Sequence, residues 1–95
     1  MLDFVYPRYR RAENIYLNVF VMKEYEDRDG GDNLIIRVEQ KEKEENFSEW
    51  RLPDMACYKS YGFSELDLFA IEDYLTVNES IIWDDWREHK NARIA

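Results

Sequence analysis

The sequence predicts an α+β domain: an antiparallel β-hairpin or three-stranded sheet packed against C-terminal helices. Three observations carry that expectation. Residues 15–22 alternate with period two among strong β-formers. An Asp29-Gly30-Gly31-Asp32 turn follows, and a second alternating run begins at Leu34. From Ser64 onward the apolar spacing becomes helical and opens on a capping signature.

Taken in order, residues 1–12 read as an extended basic arm. Pro7 fixes one backbone dihedral and pushes Tyr6 out of the helical region. Residues 13–52 read as antiparallel sheet. Ile15, Leu17, Val19 and Val21 alternate with Tyr16, Asn18, Phe20 and Met22, so both faces are partly apolar and the strand is central. The second strand puts Leu34, Ile36 and Val38 on one face and Ile35, Arg37 and Glu39 on the other. Lys41 to Asn46 is a charged connector or a protruding strand end, and Phe47 to Leu52 returns as a third strand marked by Phe47 and Trp50.

Residues 53–90 read as the helical part. Pro53 suits the first turn of a short helix, Gly62 its stop, and Met55, Tyr58 and Tyr61 fall three apart. The main helix starts after Ser64, whose hydroxyl caps it, with Asp67 closing the box and Phe63 and Leu68 placed as a hydrophobic staple. Asn78 breaks it and caps a second helix over 79–90, which ends in Arg87, His89 and Lys90 as the helix dipole prefers. The 95 residues make a single small acidic domain, with no internal repeat, low-complexity tract or domain boundary.

Composition narrows the function classes. Hydrophobic residues are 45% and aromatics 16%, which a disordered acidic tail would not carry. The net charge is −8 and unevenly spread, since Arg8, Arg10 and Arg11 face only Asp3 within residues 1–12. Direct nucleic-acid binding needs clustered cations that the rest of the chain lacks, so the expected partner is a basic protein surface. Cys57 is the sole cysteine, which rules out an intrachain disulfide, and it reads as a small buried hydrophobe. The start lacks the pattern of a signal peptide, and no apolar run approaches the ~20 residues of a membrane span, so the expected location is cytoplasmic.

Catalytic constellations are sparse. The sole imidazole, His89, sits in a helix's last turn, where a solvated histidine is favoured by the dipole. The Asp27 to Asp32 loop departs from a calcium-binding loop at three places, since Gly31, Asp32 and Val38 fall at positions 5, 6 and 12. It reads as an ordinary hairpin turn. A divalent-metal nuclease would use Asp29 or Asp32 with Glu39 and Lys41, as an acid followed by Glu-x-Lys. Such triplets arise readily in a chain that is 36% charged, and the acidic surroundings would repel DNA. Gly30, Gly31 and Gly62 form no phosphate loop, and no carboxylate pair stands out for glycoside chemistry. No cofactor, no metal and no enzymatic activity are expected.

The distinctive stretch is 60–86. It holds Glu65, Asp67, Glu72, Asp73, Glu79, Asp84 and Asp85, with no Lys or Arg. A continuous helix would place Glu65, Glu72 and Glu79 nearly in line, flanked by Asp73 and Asp84. Leu66, Ala70, Ile71, Tyr74, Leu75, Val77, Ile81, Ile82 and Trp86 would take the core side. Phe69 and Trp83 fall among the acids, a composition typical of interface anchors. Spread over roughly 40 Å of helix, the acids give about one charge per 6 Å, against one per ~1.7 Å for duplex DNA. Mimicry of DNA would therefore need acids from the loops as well.

The expected partner-binding residues are Glu65, Phe69, Glu72, Asp73, Glu79, Trp83 and Asp84. The expected function is that of a small acidic module docking on the basic surface of a nucleic-acid-handling protein, in the manner of antitoxins, nuclease inhibitors and anti-CRISPR-like proteins. The alternatives are a self-associating structural or scaffold subunit, such as a homodimer with the basic aromatic arm laid on a neighbour's acidic helix, and the metal-dependent nuclease.

Overall fold

A computed structural model of the chain describes residues 2–8 and 13–94, and the side chains of residues 15–90. Its elements are β1 (Leu2–Arg8), β2 (Glu13–Glu26), β3 (Asp32–Gln40), β4 (Lys43–Leu52), β5 (Ala56–Tyr61), α1 (Glu65–Val77) and α2 (Glu79–Ile94). The five strands lie side by side in chain order, each antiparallel to the next. The architecture is α+β, as the sequence predicts.

Alternation decides which face of the sheet is buried. Val19 pairs with Val38, Val21 with Ile36, and Ile36 with Trp50, so one face gathers Leu17, Val19, Leu34, Ile36, Val38, Trp50 and Leu52. Ile71, Leu75 and Ile82 of the helices complete this core. Trp50 brings its indole N–H into the interior and donates it to the buried Ser48 hydroxyl at 2.7 Å, which leaves neither group unsatisfied.

The β2–β3 turn is built on Asp27. Its carboxylate accepts the backbone N–H groups of Asp29 and Gly31, each at 2.9 Å, and the Asn33 side-chain amide at 3.2 Å. Those donors, the Gly31 N–H foremost and then Asn33, hold the Asp27 carboxyl below its usual range. Gly30 supplies the left-handed backbone the reversal needs, at φ 82°. The carboxylate is thus consumed by its own turn, and among the described residues no group of side chains is arranged to hold a metal ion.

Three expectations are corrected here. Of the segment read as an extended arm over 1–12, Leu2–Arg8 is a strand hydrogen-bonded to β2. Arg10 and Arg11, with the rest of 9–12, lie outside the described residues. The short helix expected between Pro53 and Gly62 is instead a turn followed by β5. β4 offers an open edge whose backbone groups need partners, and Cys57, Tyr58 and Tyr61 have the side chains strands prefer. Cys57 is therefore on an edge strand and exposed, not buried. Partial burial, with the Glu72 charge as a lesser cause, still raises its thiol pKa, which argues against a reactive thiolate.

Candidate protein-docking face

Helix α1 begins as its sequence dictates. The Ser64 hydroxyl accepts the Asp67 N–H at 3.1 Å while the Asp67 carboxylate accepts the Ser64 N–H at 2.9 Å. Phe63 and Leu68 both pack against the core beside this box. Asp67 is therefore a buried structural carboxylate and not part of a displayed field.

At Asn78 the helix stops for one residue. The Asn78 side chain donates to the Tyr74 carbonyl at 2.9 Å, and its own carbonyl accepts the Ile82 N–H at 2.9 Å, so it closes α1 and opens α2. The far end of α2 is fastened to the sheet. Glu24 of β2 accepts from the Trp86 indole at 2.9 Å and pairs with Lys90 at 2.5 Å. Lys90 first, and Trp86 second, hold the Glu24 carboxyl below its ordinary value. His89, exposed, lies over Trp86 with ring centroids 6.0 Å apart.

Because Asp67, Ile71, Leu75 and Ile82 face the sheet, the opposite side of the helices is fixed. That outer side carries Leu66, Phe69, Asp73, Val77 and Ile81, all exposed; Phe69 is 56% and Val77 79% accessible. Leu66, Val77 and Ile81 were expected in the core and are not. The buried stripe is narrower than a count of apolar residues suggests, and it is centred on Ile71 and Leu75. Ala70, also expected in the core, is half-buried at its edge. The outer face is thus more apolar than the sequence predicts.

The seven expected contact residues divide into two sets. Glu65, Phe69, Asp73 and Asp84 point into solvent; Glu72, Glu79 and Trp83 are half-buried along the flank. The Glu65–Glu72–Glu79 row expected of a continuous helix is not presented whole: α1 ends at Val77, Glu79 opens α2, and of the three only Glu65 is exposed. Glu79 accepts the Trp83 indole N–H at 3.2 Å, and Trp83 packs partly against the core. Asp84 pairs with Arg87 at 3.1 Å, an exposed contact of little strength. Among the described residues, no Lys or Arg forms an ion pair with Glu65, Glu72, Asp73 or Glu79.

Where the α1–α2 junction meets the β2–β3 turn lies an open concavity of about 520 Å³. Asp32, Thr76, Glu79, Trp83, Asp84 and Arg87 contribute to its walls. Arg87 was not anticipated as a site residue and Asp32 only as a metal ligand of the nuclease alternative, and nothing local in the sequence marks a strand-start aspartate as neighbour to a helix fifty residues on. The nuclease grouping is not assembled: Asp32 and Glu39 lie at opposite ends of β3, about 23 Å apart at strand rise, and Glu39 is engaged by Arg37 at 2.7 Å. Among the described residues, no helix is long and apolar enough to cross a membrane. Comparison with family models, curated proteins and solved structures found no match.

Proposed function

We propose that this chain is an acidic binding module that docks through the outer face of α1 and the start of α2 onto a basic protein surface. The observation that carries the reading is the pairing of exposed Leu66, Phe69, Val77 and Ile81 with carboxylates that have no cationic partner among the described residues. Exposed apolar groups would supply contact area, while unpaired acids would set register and speed association with a cationic groove. A protein that handles nucleic acid is the natural owner of such a groove, because it must already concentrate cations to hold phosphate. Covering it would inhibit or neutralise that protein, as antitoxins, nuclease inhibitors and anti-CRISPR-like proteins do.

The test is capture of basic proteins on the immobilised chain at low ionic strength, elution with a salt gradient, and identification of what elutes. Nucleic-acid-handling proteins should be retained and should leave as salt screens the contact. Phe69→Ser and Asp73→Lys, both at exposed positions, should abolish their retention. Retention of the same proteins by both variants would remove the face from consideration.

A further inference from the structure

The concavity between the α1–α2 junction and the β2–β3 turn already holds one guanidinium, the chain's own. Arg87 lies 5.6 Å from the centroid of the Trp83 ring and 3.1 Å from an Asp84 carboxylate oxygen. Trp83 is steadied from the other side, where its indole N–H is donated to Glu79 at 3.2 Å. Asp32 stands across the opening at the start of β3, exposed and without a hydrogen-bond or ion-pair partner among the described residues. Three carboxylates and one arginine thus surround an aromatic face, leaving the concavity net negative with its internal cation in place.

We infer that this concavity is the arginine-reading subsite of the docking face: an arginine of the basic partner displaces Arg87 from Trp83 and Asp84 and is met by Asp32 on the opposite wall. The inference rests on the docking reading above and adds the chemistry of the contact. A planar guanidinium stacks on an indole and forks onto carboxylates, whereas a lysine ammonium is a strongly hydrated point charge that does neither as well. The incumbent is easily dislodged, because the Arg87 and Asp84 side chains are 60% and 74% exposed. Arg87 therefore acts as a placeholder that lowers affinity until a better-placed guanidinium arrives.

The experiment titrates the intact chain with hexa-arginine amide and, separately, hexalysine amide at low salt, following the Trp83 indole N–H by NMR and the dissociation constant by calorimetry. Hexa-arginine should move the Trp83 signal, and hexalysine should move it much less. Arg87→Ala should tighten hexa-arginine binding roughly two- to five-fold, and Asp32→Asn should weaken it by a similar factor. Both substitutions are at exposed positions, and an unchanged melting temperature verifies that the fold is kept. Binding with an unmoved Trp83 signal, equal shifts from both peptides, or weaker binding by Arg87→Ala would overturn the arginine subsite while leaving the docking face standing. No binding of either peptide would overturn both.

Discussion

The two outward faces of this molecule are made from the same residue types and handle them in opposite ways. On the open face of the sheet, Arg37 reaches Glu39 at 2.7 Å and Glu49 at 3.2 Å, and its guanidinium lies 4.0 Å from the centre of the Phe47 ring. Lys59 approaches the same ring at 5.6 Å. The Arg37 charge and the Phe47 ring there are met within the chain, because cross-strand pairing sets acids directly opposite bases: Arg37 faces Glu49, and Glu49 faces Lys59. On the outer face of the helices, Phe69 and Val77 have carboxylates for neighbours and no cation between Ser60 and Trp86 to balance them. Composition alone does not separate a self-contained surface from an unfinished one. The placement of the cations does.

Substitutions on the two sides of one helix give the largest contrast. Ile71→Ala, in the core, should destabilise the chain by about 3 kcal/mol, seen as a shifted urea midpoint. Phe69→Ala, two residues earlier on the outer face, should stay within ~0.5 kcal/mol of the parent. A large loss from Phe69→Ala would mean that the outer face is structural.

The closed face should register its own loss. Arg37→Ala removes two charge-assisted hydrogen bonds and a ring contact and leaves two half-buried acids, so a cost of about 1–2 kcal/mol is expected in the same assay. Adding Glu49→Gln should recover part of it.

A smaller effect comes from the clasp between β2 and α2. Glu24 has a carboxyl held below its ordinary value of 4.5 in the folded chain. Its contribution is therefore full above that value and is lost as the pH falls through the lowered native one. Glu24→Gln should cost about 1 kcal/mol at neutral pH and flatten the acid limb of a stability–pH profile. Asp27 works in the same direction, with its carboxyl lowered by the turn's N–H groups. An acid limb unchanged in Glu24→Gln would show that the clasp does not form.

The parts of the fold that were legible are those where local chemistry and burial agree. Ser64, Asp67, Phe63 and Leu68 announce the start of α1 from sequence spacing alone, and Ile15 to Val19 with Leu34 to Val38 announce the hairpin. β5 was illegible because it is an exposed edge: with Cys57 to Tyr61 all solvent-facing, no inside-outside alternation remains to be read. The candidate face was legible in its charge but not in its apolar content. Hydrophobicity told where Leu66, Val77 and Ile81 belong on average, whereas the sheet has room for only a narrow stripe. Asp32 and Arg87 reach the same concavity only through the tertiary fold, and no spacing rule links them.

Backbone chemical-shift mapping with hexa-arginine tests the difference between the two faces most directly. Perturbations should gather along residues 65–87 and the turn at 27–33, and should leave the Arg37–Glu39–Glu49–Phe47 face in place. Shifts centred on that sheet face, or scattered wherever a carboxylate occurs, would contradict the assignment of the open helical surface as the place where a partner lands.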